Sequence, residues 1–356
     1  MIDALIKELS ISSSKKEIIN TVYFGGGTPS LLTKNELKKL LDATHQFFDI
    51  AIDAEITLEA NPDDINAVKL AEWRSVGINR FSIGIQSLSQ QDLEWMNRAH
   101  NAEQALHCIG LVKNAGFQNY SVDLIYGTPT LSDDDWKKNV QTIIDLGVPH
   151  ISCYALTVES NTALQKMIKL KKKEEVDPEK QASQFLLLTG WLQDAGYEHY
   201  EISNFAKPGY RSKHNSSYWL RKTYIGIGPS AHSFDGSSRR WNVSNNVLYI
   251  QSLQKNIIPY EEEKLSEVQK LNEYIMTSLR TTEGIDLDFV EETFGKEKRQ
   301  RLESESSKHT QNHKLLPIAI GTTNHKLVLT KEGKLFADGI AADLFFEEEL
   351  ISFSSL

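Results

Sequence analysis

The sequence predicts an α/β fold that is built on a parallel sheet and followed by a smaller C-terminal module. Two observations support this prediction. From residue 1 to about residue 205, short runs rich in Val, Ile, Tyr and Phe alternate with amphipathic helical patterns, and strands that alternate with helices at this spacing pair in parallel. Turn glycines also close the helical patterns; they are Gly77, Gly116, Gly147 and Gly196.

The predicted elements follow one another in a regular order. The strand candidates are Thr21–Phe24, Glu55–Glu59, Arg80–Ile85, Ser121–Tyr126, Ile151–Leu156 and Glu198–Ile202. Helical patterns lie between them near residues 34–48, 65–76, 102–115, 133–146 and 179–195. The chain itself opens on a helical pattern with apolar residues at Ile2, Leu5, Ile6 and Leu9. Because the βα series starts with a helix, we expect that a strand is missing in front.

The composition changes after about residue 205. Residues 206–265 are predicted to form an irregular segment, because Ser, Gly, Asn, Tyr and Trp are frequent and helical periodicity is weak. Residues 266–350 are predicted to form a winged-helix-like α+β domain. Its predicted parts are helices at Ser266–Leu279 and Asp286–Phe294, a loop at 303–314, a hairpin of Lys326–Leu329 with Gly333–Phe336, and a closing helix at 337–346.

Composition and charge exclude several classes of protein. The formal net charge of −9 argues against a broad nucleic-acid surface. No apolar run approaches the ~20 residues of a membrane-spanning helix, so no integral membrane segment is predicted. The charged N-terminus is unlike a secretory signal. The two cysteines, Cys108 and Cys153, suit a reducing cytoplasm and are too few for an all-cysteine metal site.

A glycine loop follows the first predicted strand, in the run GGGTPS from Gly25 to Ser30. Glycine allows positive φ and lets a ligand approach the backbone closely. Backbone groups of Gly26 and Gly27, with the Thr28 hydroxyl, could hold an amino or carboxylate group. The simpler alternative is a tight turn between strand and helix.

Polar side chains follow the next predicted strands. Glu59 closes one strand, Gln86 closes the next, and Asp123 lies in the apolar run DLIYG. Arg98 comes twelve residues after Gln86 and could pair with a carboxylate. In parallel sheets ligands bind at the C-terminal strand ends. A carboxylate, an amide, a guanidinium and a glycine loop at one such edge suit a zwitterionic nucleoside.

A family resemblance rests on ordered motifs over essentially the whole chain. GGGTPS, EANP, SIGIQS, DLIYG, YEISNFA, HNSSYW and GIGPSAHS occur in this order, and the chain resembles the HemW/HemN branch of the radical S-adenosylmethionine (SAM) superfamily. The resemblance implies a partial (β/α)6 barrel of TIM-like type with a small C-terminal domain. It also implies that SAM is bound by Gly26, Gly27, Thr28, Glu59, Gln86, Arg98 and Asp123.

One part of the family pattern is absent. The family's first strand ends in a three-cysteine motif whose thiolates hold a 4Fe–4S cluster, and neither Cys108 nor Cys153 occupies a motif position. We therefore expect that this chain is not a competent radical enzyme. We also expect that it starts after the first strand, the alternative being a paralogue that naturally lacks the cluster. A start after the first strand would leave an unpaired sheet edge near Thr21–Phe24.

The run HNSSYW, from His214 to Trp219, separates two functions within the family. A neutral imidazole is a common axial ligand of haem iron, and the resemblance identifies this run with the haem signature of HemW-type chaperones. A purely structural histidine is the alternative, and His232 is a second candidate. We predict a haem chaperone that passes haem to acceptor proteins. The alternatives are an oxygen-independent coproporphyrinogen III oxidase and, more remotely, a DNA-binding regulator.

Overall fold

The computed structural model of the chain describes residues 1–320 and 324–348. The chain forms two compact units. Residues 2–214 make up the first unit, and residues from Asn215 onward, together with Met1, make up the second. The three-part division at residues 205 and 265 stays a prediction. Positions 349 and 350 of the predicted C-terminal domain lie outside the described residues.

The first unit alternates strands and helices. In chain order they are α1 Ile2–Ile11, β1 Ser14–Phe24, α2 Lys34–Phe47, β2 Phe48–Ala60, α3 Ala67–Val76, β3 Arg80–Gln86, α4 Gln90–Trp95, α5 Ala102–Asn114, β4 Tyr120–Tyr126, α6 Asp133–Asp145, β5 His150–Ala155, α7 Ala163–Lys169, α8 Pro178–Asp194, β6 Glu198–Glu201 and β7 Asn204–Ala206. Every strand and helix predicted for this region has its counterpart here.

The strands form one curled sheet, a half-barrel, in the order β1-β2-β3-β4-β5-β7-β6. β1 to β5 pair in parallel, as the sequence predicts. The sixth predicted strand differs, because β7 pairs antiparallel with both β5 and β6 and separates them. Only Ile202 and Ser203 connect β6 to β7, and so short a connection permits only an antiparallel pair. β1 is the terminal strand of the sheet.

Local sequence signals fix the helix ends, and alternation fixes the sheet faces. In α2 the Thr33 side chain and Glu36 form a capping box. Along β3, Ile83 and Ile85 are fully buried on one face, where they pack in the core. Successive strand residues point to opposite faces, so the polar residues between the aliphatic ones face the other side. This alternation determines where the site forms.

The second unit holds two small antiparallel sheets, in the orders β10-β9-β8 and β11-β13-β12. Its elements, after α9 Lys213–Trp219 at the unit boundary, are β8 His232–Phe234, β9 Ser238–Asn242, α10 Asn246–Gln254, β10 Tyr260–Lys264, α11 Glu267–Leu279, β11 Ile285–Asp286, α12 Leu287–Phe294, α13 Lys296–Gln311, β12 Leu315–Ile320, β13 Asn324–Leu329 and α14 Ala337–Asp343. Helices α11, α12 and α14 match the sequence prediction.

Three predictions for this part of the chain are wrong. Residues 206–265 are not irregular, since they contain α9, α10 and a three-stranded sheet. Residues 303–314 are mostly helix, because α13 buries one face through Leu302, Ser306 and His309. The partner of β13 is β12, not the 333–336 run, which forms a 3-10 turn. Pro317 obscures β12 in the sequence, and the position is tolerated because β12 is an edge strand.

No helix in the described part of the chain combines the length and apolar character that crossing a membrane requires.

Candidate functional site

A polar cavity of about 210 Å³ lies at the C-terminal ends of the parallel strands of the first unit. Its lining includes six of the residues that the sequence singles out: Gly27, Thr28, Glu59, Gln86, Arg98 and Asp123. Gly26 is adjacent, since its N–H donates to the Glu59 carboxylate over 3.1 Å. The fold therefore brings together seven residues that are spread over almost a hundred positions of the chain.

The glycine loop fits closely against two of its neighbours. A side chain at position 25 would place its Cβ 2.5 Å from the Tyr23 ring and 2.9 Å from a Glu59 oxygen, so only glycine fits. Gly26 and Gly27 have φ angles of 76° and 65°, and residues other than glycine adopt such angles only at a cost in conformational energy. Nothing lies within 4 Å of a Cβ built at either position. Their backbone is therefore open toward the cavity.

Glu59 accepts one hydrogen bond from the glycine loop and one from Tyr23. The Tyr23 hydroxyl donates to Glu59 Oε1 over 2.7 Å, while the Gly26 N–H donates to Oε2. Burial and the adjacent Glu59 carboxylate raise the pKa of Tyr23 well above its usual range. Tyr23 therefore stays protonated and remains a donor, and both oxygens of Glu59 have defined directions.

Asp123 is the least compensated acid in the cavity. Its oxygens receive long contacts from the Ser82 hydroxyl, at 3.4 and 3.5 Å, and a hydrogen bond from the Ser152 hydroxyl. Burial raises the pKa of Asp123 to about 7, and the charge on Glu59 adds to the rise against the stabilising hydroxyl of Ser152. A carboxylate with such weak support suits a cationic or hydroxyl-bearing ligand.

Arg98 and Gln86 are the remaining polar side chains of the predicted set that line the cavity. The Arg98 guanidinium makes one long contact, 3.5 Å to Asn61 Oδ1, and burial lowers its pKa. Gln86 adopts a φ of 62°, outside the usual range of side-chain-bearing residues, where β3 ends. A Cβ on Gly84 would approach Gln86 Nε2 to 2.9 Å, so Gly84 keeps this amide close to the sheet. Arg98 is therefore placed to receive a carboxylate.

Three residues of this arrangement were missed by reasoning from the sequence alone: Tyr23, Ser82 and Gly84. Their signal is strand periodicity. Tyr23 lies two residues before Gly25, and Ser82 and Gly84 lie four and two residues before Gln86. Residues two apart on a strand share a face, so each of the three lies on the face of a residue that was predicted. Tracing that face backwards from the strand ends would have found them.

His214 does not line the cavity and instead lies beneath it. Its ring stacks on the Tyr23 ring with centroids 4.5 Å apart and planes 15° from parallel. Nδ1 is 3.0 Å from the Thr21 hydroxyl, and the peptide N–H donates to Glu55 Oε1 over 3.0 Å. Burial lowers the pKa of His214 to about 4, and the charge on Arg80 lowers it further while Glu55 opposes the shift. The imidazole is therefore neutral at pH 7.

The aromatic residues of the HNSSYW run belong to the second unit. Tyr218 is 40% exposed, and its ring meets the Tyr224 ring edge-on at 4.8 Å. The Arg280 guanidinium lies 5.1 Å from the Trp219 ring centroid. His232, the second histidine candidate, is exposed on β8. This unit thus offers exposed aromatic area.

The cysteines do not form a metal site. Cys108 on α5 and Cys153 on β5 are both buried, and burial raises the pKa of Cys108 to about 12. Within residues 1–320 and 324–348, no group of three His, Cys, Asp or Glu side chains is arranged to hold a metal ion. The side chains that the structure describes therefore do not fit a 4Fe–4S cluster.

Comparison with known proteins agrees with the fold. The profile of the Radical SAM superfamily matches residues 2–143, and that of the HemN C-terminal domain matches residues 265–336. The structure of coproporphyrinogen III oxidase (HemN) from Escherichia coli superposes with a TM-score of 0.82 at 19% identity, covering 97% of this chain and 82% of that one. At this identity the likeness shows the fold alone.

Curated relatives narrow the assignment. A protein named Heme chaperone HemW from Mycobacterium tuberculosis is 34% identical over 96% of this chain and 85% of its own length. Its namesake from Bacillus subtilis is 31% identical over 83% of this chain and 79% of its own length. The half-barrel, its glycine loop and the C-terminal module thus define a radical SAM protein of the HemN-like type. Within that class, this chain belongs to the HemW family.

Proposed function

We propose that this protein is a haem chaperone, which binds haem and passes it to acceptor proteins. The main support is the family: relatives matching most of the chain are named heme chaperones. A second support is the state of His214, whose depressed pKa of about 4 keeps the imidazole neutral. The neutral form is the one that binds haem iron, and we propose His214 as that ligand.

We further propose that the polar cavity binds SAM through the glycine loop, Glu59, Gln86, Arg98 and Asp123. The chemistry of the lining fits a zwitterionic nucleoside. Carboxylates accept hydrogen bonds from an ammonium group or ribose hydroxyls, and a guanidinium receives a carboxylate. Bound SAM would supply a sulfonium centre, and the residues of this chain would hold and orient it.

The cysteines and the net charge bear on the compartment and on the class of partner. We propose a cytoplasmic protein, because both thiols are free and buried rather than paired. The acidic balance, at a net charge of −9, argues against nucleic acid as a partner.

A haem titration tests the proposal. Hemin is added to the purified chain, and we expect a shifted Soret band that is lost in His214→Ala. His232→Ala tests the second candidate, the exposed histidine on β8, and it should keep the band. Equal spectra for wild type and His214→Ala would refute the His214 ligand. No shifted band in the wild type would refute haem binding.

Transfer is tested separately. The haem-loaded chain is mixed with apomyoglobin as a probe acceptor, and the Soret band is followed in the separated proteins. A chaperone should lose its haem to the acceptor in direct contact faster than across a dialysis membrane. Equal rates would mean passive release only and would contradict the carrier function.

The oxidase remains the second candidate within the same superfamily, and two observations place it second. Its structural relative shows only the fold. The two thiols of this sequence are buried on α5 and β5 and do not fit a cluster. Anaerobic reconstitution with iron and sulfide should therefore yield no stable cluster on this chain. A stable 4Fe–4S signal with cleavage of SAM would reverse the order of the two candidates.

A further inference from the structure

We infer that His214 is a positioning residue for the SAM cavity, acting through Tyr23 on Glu59 and the glycine loop. The inference rests on the proposed binding of SAM. It gives His214 a task that needs the flat ring rather than its nitrogen atoms, and this task differs from the ligation of iron.

The first link is the ring stack. The His214 and Tyr23 planes lie 15° from parallel with centroids 4.5 Å apart, so the imidazole covers one face of the phenol. Tyr23 is on β1, which is the terminal strand of the sheet. Since a terminal strand has a neighbouring strand on one side only, its side chains need support from elsewhere. The ring of His214 provides that support.

The second link is the hydrogen bond above the stack. The Tyr23 hydroxyl donates to Glu59 over 2.7 Å, and the other oxygen of Glu59 accepts from the Gly26 N–H. Moving the phenol would turn the carboxylate and release the loop. Because a Cβ at Gly25 would already be 2.5 Å from the Tyr23 ring, the loop and the ring are in close contact. The orientation of Tyr23 therefore determines the shape of this side of the cavity.

The third link anchors His214 itself. Glu55, which is 3% exposed, accepts hydrogen bonds from the peptide N–H groups of Lys213 and His214 and from the Ser212 hydroxyl. The Thr21 hydroxyl lies 3.0 Å from the ring Nδ1. The backbone is thus fixed to β2 and the ring to β1. His214 is rigid enough to position another residue.

Two substitutions separate this task from iron ligation. His214→Phe keeps a flat ring on Tyr23 but removes the nitrogen atoms, whereas His214→Ala removes both. A third variant, Tyr23→Phe, keeps the stack and removes only the hydrogen bond to Glu59. His107→Ala is the matched control, because His107 is an exposed histidine on α5 that does not line the cavity.

The experiment measures SAM affinity by calorimetry on the full chain without haem, with hemin titrations in parallel. We expect His214→Ala and Tyr23→Phe each to weaken SAM binding about three- to tenfold, the usual range for one aromatic contact or one hydrogen bond. His214→Phe and His107→Ala should bind SAM as the wild type does. His214→Phe should nevertheless lose the haem band, because phenylalanine cannot ligate iron.

The outcomes are distinguishable. If the wild type binds SAM and His214→Ala binds it equally well, the inference is wrong while the proposed SAM cavity stands. If His214→Phe is as weak as His214→Ala, the ring stack is not the cause, and the inference is also wrong. If the wild type shows no SAM binding, the proposed cavity and the inference fall together, whatever the haem titration shows.

Discussion

Two polar layers on the inner face of the same half-barrel differ in how well they are compensated. In the lower layer, Glu55 and Arg80 are each 2% exposed in their side chains and lie 3.9 Å apart. In the upper layer, Asp123 is contacted by the hydroxyls of Ser82, at 3.4 Å, and Ser152, and the Arg98 guanidinium lies 3.5 Å from Asn61 Oδ1. Glu55, Arg80 and Asp123 lie on β2, β3 and β4, whereas Arg98 lies between α4 and α5.

This difference in compensation indicates which of the two layers is expected to bind a ligand. Glu55 accepts three hydrogen bonds from residues 212–214, so its burial is compensated within the protein. A buried charge without such partners lowers stability and is found chiefly at functional sites. We therefore propose that the lower layer contributes to folding and the upper layer to binding. Three predictions test this contrast, in order of decreasing effect on stability.

The largest effect is expected for Glu55→Ala. This change removes three hydrogen-bond acceptor contacts and leaves Arg80 as a buried charge without its carboxylate. Breaking a buried pair from one side costs about 3–5 kcal/mol of unfolding free energy. Urea unfolding at pH 7 measures it. Glu59→Ala, four residues along the same strand, is the matched variant and should cost about 1–2 kcal/mol. Equal losses would contradict the contrast between the layers.

The second effect depends on pH. The pKa of Asp123 is raised to about 7 from an ordinary 3.8, so the folded protein binds this proton more tightly than the unfolded chain does. The contribution of Asp123 to the unfolding free energy is therefore greatest below pH ~4 and is lost as the pH rises through ~7. The loss is about 1.4 kcal/mol for each unit by which the pKa is raised. Asp123→Asn should remove this part of the pH dependence.

Urea unfolding of wild type and Asp123→Asn across this pH range measures the difference. The stability gained by the variant should grow with pH and level off above the pKa of Asp123. A difference that stays constant with pH would mean that Asp123 has an ordinary pKa, and the upper layer would then be better compensated than its contacts indicate.

The smallest effect on stability is expected for Arg98→Met. Its side chain makes one long contact, to Asn61, so the unfolding free energy should change by less than about 1 kcal/mol. SAM affinity should instead fall about tenfold or more, because a carboxylate loses its guanidinium partner. Calorimetry and urea unfolding together check both statements. For Arg80→Met we expect the opposite result for stability, namely a large loss of unfolding free energy.

Much of the first unit was predictable because its signals are local. The alternation of β-rich runs and helical patterns predicts β1 to β5, and the turn glycines mark the helix ends. The C-terminal part was harder. The 303–314 run is polar on most of its surface, and its helix is stabilised by three buried positions on one face. Pro317 hid β12, because an edge position that tolerates proline is visible only in the assembled sheet.

The sequence by itself determined the family, the half-barrel and the identity of the strand-end residues, because motif order and strand periodicity are properties of the chain. Only the tertiary structure decided which polar residues meet and which are compensated. Glu55 and Glu59 are four residues apart on one strand and both have hydrogen-bond partners inside the protein, yet Glu55 is buried whereas Glu59 borders the cavity. Such partners come from strands and helices far away in the chain, as His214 does for Tyr23, and pairing at that distance is set by packing rather than by local pattern.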